Sequence, residues 1–230
     1  MDPSVVAIGR WAFASRSTTS VILPSHIVSI GEASFYNCES LKTVIIEGAL
    51  REIPESCFAR CRQLENITLP STITKIGQSA FMGCNFLANI TIPSNVTEIP
   101  IAFFRNCNKL EEVSFTSSIR YIKQNAFYGC SSLVSIGSLS SIRELGAYAF
   151  NGCSSLEQII LPTTCSKMYI NCFKGCISLH IYSEASEWPS TWFSNATFNP
   201  DNRPIYWYSE TPNYDGTHWR YVSGVPTIWA

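Results

Sequence analysis

Ile73–Pro93, ITKIGQSAFMGCNFLANITIP, decides the fold, because most of the chain is this stretch written again. Its anchor is a Phe followed three residues later by a Cys and six residues later by a Leu. Phe13, Phe35, Phe58, Phe81, Phe104, Phe127, Phe150 and Phe173 are separated by one step of 22 residues and then by six of 23. Cys38 to Cys176 and Leu41 to Leu179 keep the same 23-residue beat. A fixed period of this length means a solenoid, in which each unit buries its apolar side only against its neighbours.

Within one unit the pattern predicts three pieces. In Leu64-Glu-Asn-Ile67-Thr-Leu69-Pro70, Ile67 and Leu69 alternate with Asn66 and Thr68, which reads as a short half-buried strand ended by the proline. A polar corner (Ser71-Thr72, Ser94-Asn95) leads to an apolar pair three apart, such as Ile73 and Ile76. The chain then turns at Gly77, Pro100 or Gly146 into what reads as a single helical turn carrying Ala-Phe-x-x-Cys, with Phe and Cys on one inward face. At Phe+2 stand Gly83, Gly129, Gly152, Gly175, Asn37 and Asn106, the residue types that tolerate a left-handed backbone.

Stacked in register, equivalent residues lie about 4.8 Å apart. An exposed column that runs Glu52, Lys75, Glu98, with Glu144 before Lys167, then alternates in sign, as neighbouring ladder positions favour. The inward Phe column is the larger contribution, on the order of 1.5–3 kcal/mol for each buried ring.

Eight repeats fill residues 1–182, the first of them degraded, with Arg16 where later repeats have Cys. Repeat six is off-pattern in its strand, reading Leu133, Ile136, Gly137, Ser138, Leu139. After residue 182 the composition shifts. Five of the six Trp fall in 183–230, with five Pro and an Asp215-Gly216 hairpin signal. This segment reads as a capping module over the end of the array.

Ten Cys in a chain of 230 residues would ordinarily suggest a disulfide framework. Here seven occupy the Phe+3 column, while Cys57, Cys172 and Cys165 replace small or medium core residues, so reduced, buried thiols are expected, with one or two bridges as the alternative. Zinc is disfavoured, because a column of parallel side chains does not converge tetrahedrally. The net charge of −1 and 14% charged residues leave no electrostatic footprint for nucleic acid. No apolar run is long enough for a membrane span. The N-terminus has no secretory signal and enters partway through a repeat, as a piece of something longer would.

The pattern L-x-x-I-x-L-P-x-x-I-x-x-I-G-x-x-A-F-x-x-C, carried by Leu64, Ile67, Leu69, Pro70, Ile73, Ile76, Gly77, Ala80, Phe81 and Cys84, resembles the BspA-like leucine-rich repeat family over roughly residues 5–182. The resemblance implies a right-handed, curved leucine-rich-repeat superhelix of the α/β repeat type, β-rich, with short helical turns on its convex side. It also implies a secreted or surface protein of a gut anaerobe, some relatives being adhesins. It carries over no catalytic residue and no cofactor.

Nor do the residues supply an enzyme constellation. G-x-S-x-G, H-E-x-x-H and a nucleotide-binding glycine loop are all missing, and Glu111 and Glu112 point to opposite faces of one strand. The expected function is binding of a protein or peptide, by a monomer, along the concave sheet. Its outward residues include Thr43, Asn66, Thr68, Asn89, Thr91, Glu112, Ser114 and Gln158. Small, mostly neutral side chains spread over some 30 Å suit an extended ligand better than a small molecule. Two alternatives stand beside this: glycan binding through Trp188, Trp192, Trp207 and Trp219, which are as readily the small core of the C-terminal segment, or an intracellular scaffold.

Overall fold

In a computed structural model, which describes residues 2, 4–116, 118–192 and 195–229 (the side chains of 195 and 196 aside), the backbone winds through about nine turns of a β-solenoid. Two columns of parallel strands run its length, each divided into shorter sheets. One is built from the apolar-polar strands: Ser20–Leu23, Thr43–Ile46 and Asn66–Ile67; then Asn89–Thr91, Glu112–Ser114 and Ser135–Ile136; then Gln158–Leu161 and His180–Ser183. The register is that of the repeat, Thr43 against Asn66 and Glu112 against both Asn89 and Ser135. The second ladder joins two-residue strands such as Glu52–Ile53 to Lys75–Ile76, and Glu98–Ile99 through Tyr121–Ile122 and Glu144–Leu145 to Lys167–Met168. The charge column lies on this ladder, where Lys75 Nζ reaches Glu52 at 2.8 Å and Glu144 pairs in register with Lys167. Tyr121 interrupts the column beside Glu98, whose partner is instead Lys123, two residues on, at 3.8 Å.

The Phe rings form one continuous file. Successive centroids from Phe13 to Phe173 are 5.3, 5.5, 5.5, 6.0, 5.6, 5.1 and 5.7 Å apart with the planes stacked. All ten Cys are free and buried. The Phe+3 thiols form a second file with its own chemistry. Each donates to the carbonyl of the preceding repeat's Phe, from Cys38 to Phe13 at 3.0 Å through Cys130 to Phe104 at 3.1 Å to Cys176 at Phe150, 3.0 Å. Cysteine fits this column because it fills the volume of a small apolar residue and still supplies a weak donor.

The predicted helical turn is not helical. Its amides alternate between two kinds of partner. In the second repeat the Ser34, Tyr36 and Cys38 amides close four-residue turns onto the Gly31, Ala33 and Phe35 carbonyls, whereas Ala33, Phe35 and Asn37 donate to Glu55, Cys57 and Ala59 of the next coil. An amide committed to the neighbouring coil cannot also close an i→i−4 ring, so no α-helix forms. The Phe+2 column is left-handed as expected, including Ser15 (φ 57°) and Arg60 (φ 61°). A second left-handed column at Phe−2, Trp11, Ala33, Ser56, Ser79, Ala102, Asn125, Tyr148 and Asn171, was not foreseen. Among the described residues the only helix is the four-residue Asn195–Phe198.

The sheet also crosses residue 183 unbroken. His180–Ser183 pairs in parallel with Ile205–Tyr208, which pairs with His218–Val222, and Val225–Ile228 adds antiparallel at the edge. The hydrogen bonding therefore does not set off a separate capping module at that boundary. On the turn side, the Asn171 and Phe173 amides donate to Thr197 and Phe198, and the Gly175 amide to the Asp201 carboxylate, so an irregular ninth turn continues the coil.

Close approach between coils is sharpest at Gly77, where an added Cβ would lie 2.2 Å from the Glu55 backbone nitrogen. Gly77→Ala is expected to destabilise by about 1–3 kcal/mol through overpacking against backbone. A urea midpoint equal to that of the parent protein would show that the coils separate without cost there.

Candidate functional site

The outward residues of the first ladder lie where the strand alternation puts them. Asn66, Thr68, Asn89, Thr91, Glu112 and Gln158 are exposed, Thr43 and Ser114 half-exposed, while the intervening Val44, Ile90, Val113 and Ile159 are buried. At the N-terminal end Ile22 and Ile45, paired in register, stand 53% and 47% exposed on the same row. The Ser114 hydroxyl donates to Glu112 at 2.7 Å, holding that carboxylate over the strand. Among the described residues no other element covers these side chains, which leaves an accessible, mostly polar face.

Two features of this face are absent from the sequence reading. The first is an aromatic extension. Tyr182 and Tyr206 are ladder partners stacked at 5.2 Å, with His180 6.0 Å from Tyr206. Trp219 lies edge-on to Tyr182 at 5.4 Å and to Tyr221 at 4.8 Å. Tyr206 follows Tyr182 by 24 residues, one more than the repeat, so the column was hidden by a single-residue drift.

The second is a groove of about 290 Å³ between the sixth and seventh strands. It lies beside the off-pattern strand of repeat six. At the position where Leu23, Leu69, Ile92, Phe115 and Leu161 are buried, Ser138 is exposed, and the next residue, Leu139, is buried. Gln158–Leu161 pairs only with His180–Ser183 and not with Ser135–Ile136, just as Asn66–Ile67 and Asn89–Thr91 do not pair with each other. Ile136, Gly137, Ser138, Leu139, Gln158 and Ile160 line the opening, with Glu157, Glu184 and Tyr221 at its sides. The Tyr221 hydroxyl donates to Glu184 at 2.8 Å. Burial first, and then that carboxylate, push the phenol above its usual range.

The four Trp proposed for glycan binding do not form one platform. Trp188, Trp192 and Trp207 cluster with Phe198 at centroid distances of 5.8–6.2 Å, and Trp192 donates its indole N–H to the Cys165 carbonyl at 2.7 Å. Trp219 is buried on the strand face and donates to the Ser183 carbonyl at 2.8 Å. Trp188, 38% exposed, is the most accessible of the set. Among the described residues no three His, Cys, Asp or Glu side chains gather as a metal site, and no helix is long and apolar enough to cross a membrane.

A parallel solenoid with a Phe file, a thiol file and one open strand face defines a repeat protein of the leucine-rich-repeat class. The BspA-type leucine-rich repeat region, in six copies, matches residues 6–133 and 98–199, and the chain belongs to that family. The chain is 32% identical to the T. pallidum leucine-rich repeat protein TpLRR, over 66% of this chain and 72% of that one, with a TM-score of 0.61. A leucine-rich repeat protein from Bacteroides ovatus is 24% identical, covering 96% of this chain and 70% of that one at a TM-score of 0.58. A leucine-rich cell surface protein from Faecalibacterium prausnitzii is 23% identical over 77% and 76% of the two chains, its TM-score of 0.41 marking only a loose likeness. No curated protein matches the chain. The matched family is one of repeat proteins, and no enzyme family is among the matches.

Proposed function

We propose that this protein is a non-catalytic interaction module that binds an extended protein or peptide along the strand face, acting as a monomer at a bacterial cell surface. One observation carries the reading: the outward side chains from Ser20 to Gln158 stay accessible over seven successive strands, uncovered by any other described part of the chain. An extended ligand matches such a face because main-chain geometry and side-chain spacing repeat together along it. The glycan alternative is weaker. Sugar stacking needs an open ring face, and Trp192 and Trp219 are both buried with their indole N–H groups satisfied by carbonyls.

The test uses a phage-displayed random peptide library panned on the folded protein. Asn89→Lys combined with Glu112→Lys changes two neighbours in register at the centre of the face without touching the core. Enriched peptides are expected to lose at least tenfold in affinity, with the circular dichroism spectrum unchanged. Undiminished binding to the folded double variant would move the site off this part of the sheet.

A further inference from the structure

We propose that the groove between the sixth and seventh strands is a specificity pocket for a cationic side chain, Lys or Arg, flanked by apolar residues of an extended peptide. The inference rests on the strand-face reading and narrows it to a place and a chemistry.

Three independent features converge there. The first is place. The groove opens beside the off-pattern strand of repeat six, where Ser138 is exposed at a position filled by buried Leu23, Leu69, Ile92, Phe115 and Leu161 in other repeats, and where Ser135–Ile136 and Gln158–Leu161 do not pair. The second is charge. The lining carries Glu157 and Glu184 and no Lys, Arg or His. The third is the apolar and aromatic floor. Ile136, Leu139 and Ile160 line the same groove, with the Tyr221 hydroxyl on Glu184.

A long cationic side chain is matched on all three counts. Its methylene stem lies along apolar surface while its head reaches carboxylates, and a guanidinium or ammonium is attracted to a tyrosine face. A volume of about 290 Å³ admits one or two side chains and falls short of the usual range for a whole drug-sized ligand. The neighbouring Tyr182 and Tyr206 continue the face beyond the groove and would meet the apolar residues that flank the cation. Anionic ligands are repelled by the same carboxylates.

The same panned library reads this out. Enriched peptides are expected to carry Lys or Arg next to an aliphatic or aromatic residue. Their affinity is expected to fall at least tenfold for the combined Glu157→Gln and Glu184→Gln variant, which keeps an acceptor for the Tyr221 hydroxyl, and to weaken in 0.5 M salt as an exposed charge contact should. Transferred resonance shifts should centre on Gln158, Ile160 and Tyr221. Enrichment of neutral or acidic peptides, or full retention of affinity by the Gln variant, overturns the pocket. If the Gln variant binds normally while the Asn89→Lys, Glu112→Lys variant does not, the pocket falls and the strand-face reading stands. If neither variant loses binding, both fall.

Discussion

Phe104→Ala is expected to destabilise the protein by about 3–5 kcal/mol, the range for deleting a large buried aromatic ring. Phe104 is fully buried at the middle of the file, stacked between Phe81 at 6.0 Å and Phe127 at 5.6 Å and tilted against Phe103 at 4.2 Å. Its ring is one layer in a continuous column, so truncation leaves a gap that both adjoining coils border and neither can fill without breaking register. Phe13, the first ring of the same file, is only half-buried and stacks on one ring, Phe35. Phe13→Ala should therefore cost less than about 1.5 kcal/mol, the lower limit for burying such a side chain fully. Urea titrations followed by circular dichroism compare the two directly. In a one-dimensional array the central loss should also split the transition, since cooperativity passes only through neighbouring coils. Equal costs at the two positions would mean that the rings do not act as a file, and the account of the core would fail with it.

That file was legible because its signal is compositional. Phe, Cys and Leu recur at fixed offsets, and a buried column tolerates few substitutes. The turns were misread for a reason that lies outside any single repeat. Whether the Phe35 amide closes a helical ring or reaches the Cys57 carbonyl depends on the coil above it, and Ala-Phe-x-x-Cys is compatible with either. The left-handed column at Phe−2 is nearly silent. Only Asn125 and Asn171 among its eight residues favour that geometry, whereas Ala33, Ala102 and Tyr148 carry no turn signature, and their positive φ is held by cross-coil hydrogen bonds. Left-handed geometry at Phe+2 was readable because glycine fills four of its eight places. The strand face divides the same way. Its alternating polar residues from Thr43 to Gln158 were readable from period two, whereas Tyr206 and Tyr221 joined it only after the period drifted. At repeat six the broken pattern was visible in Gly137-Ser138-Leu139, yet the groove beside it needed three dimensions.

The thiols make the protein's stability sharply dependent on alkaline pH. Burial pushes Cys57, Cys107, Cys165 and Cys176 up to about 12, and holds Cys84, Cys130, Cys153 and Cys172 well above the ordinary value of 9.0. The direction follows from proton counting. The folded state keeps these groups protonated, whereas the unfolded chain releases protons above 9, so the unfolded form gains at high pH. The stability they protect is complete below about pH 9 and is lost progressively as pH rises toward 12. At pH 10 each unfolded-state thiol shifts the balance by about 1.4 kcal/mol, and eight together by about 11 kcal/mol, comparable with the roughly 5–15 kcal/mol that holds a typical domain together. The urea midpoint is therefore expected to collapse between about pH 9 and pH 10.5, an interval in which proteins without buried thiols change far less. Tyrosines ionise in the same interval, and Cys130→Ala separates the two, since it should remove about 1.4 kcal/mol of the loss between pH 8 and pH 10. A thiol reagent at pH 8 gives the kinetic counterpart: a thiolate population far below that of the unfolded chain should leave these eight sulfurs nearly unreactive until denaturant is added. A urea midpoint that holds constant from pH 8 to pH 10.5 would mean that water reaches the sulfur file, and the packing that defines the solenoid would have to be looser than its geometry shows.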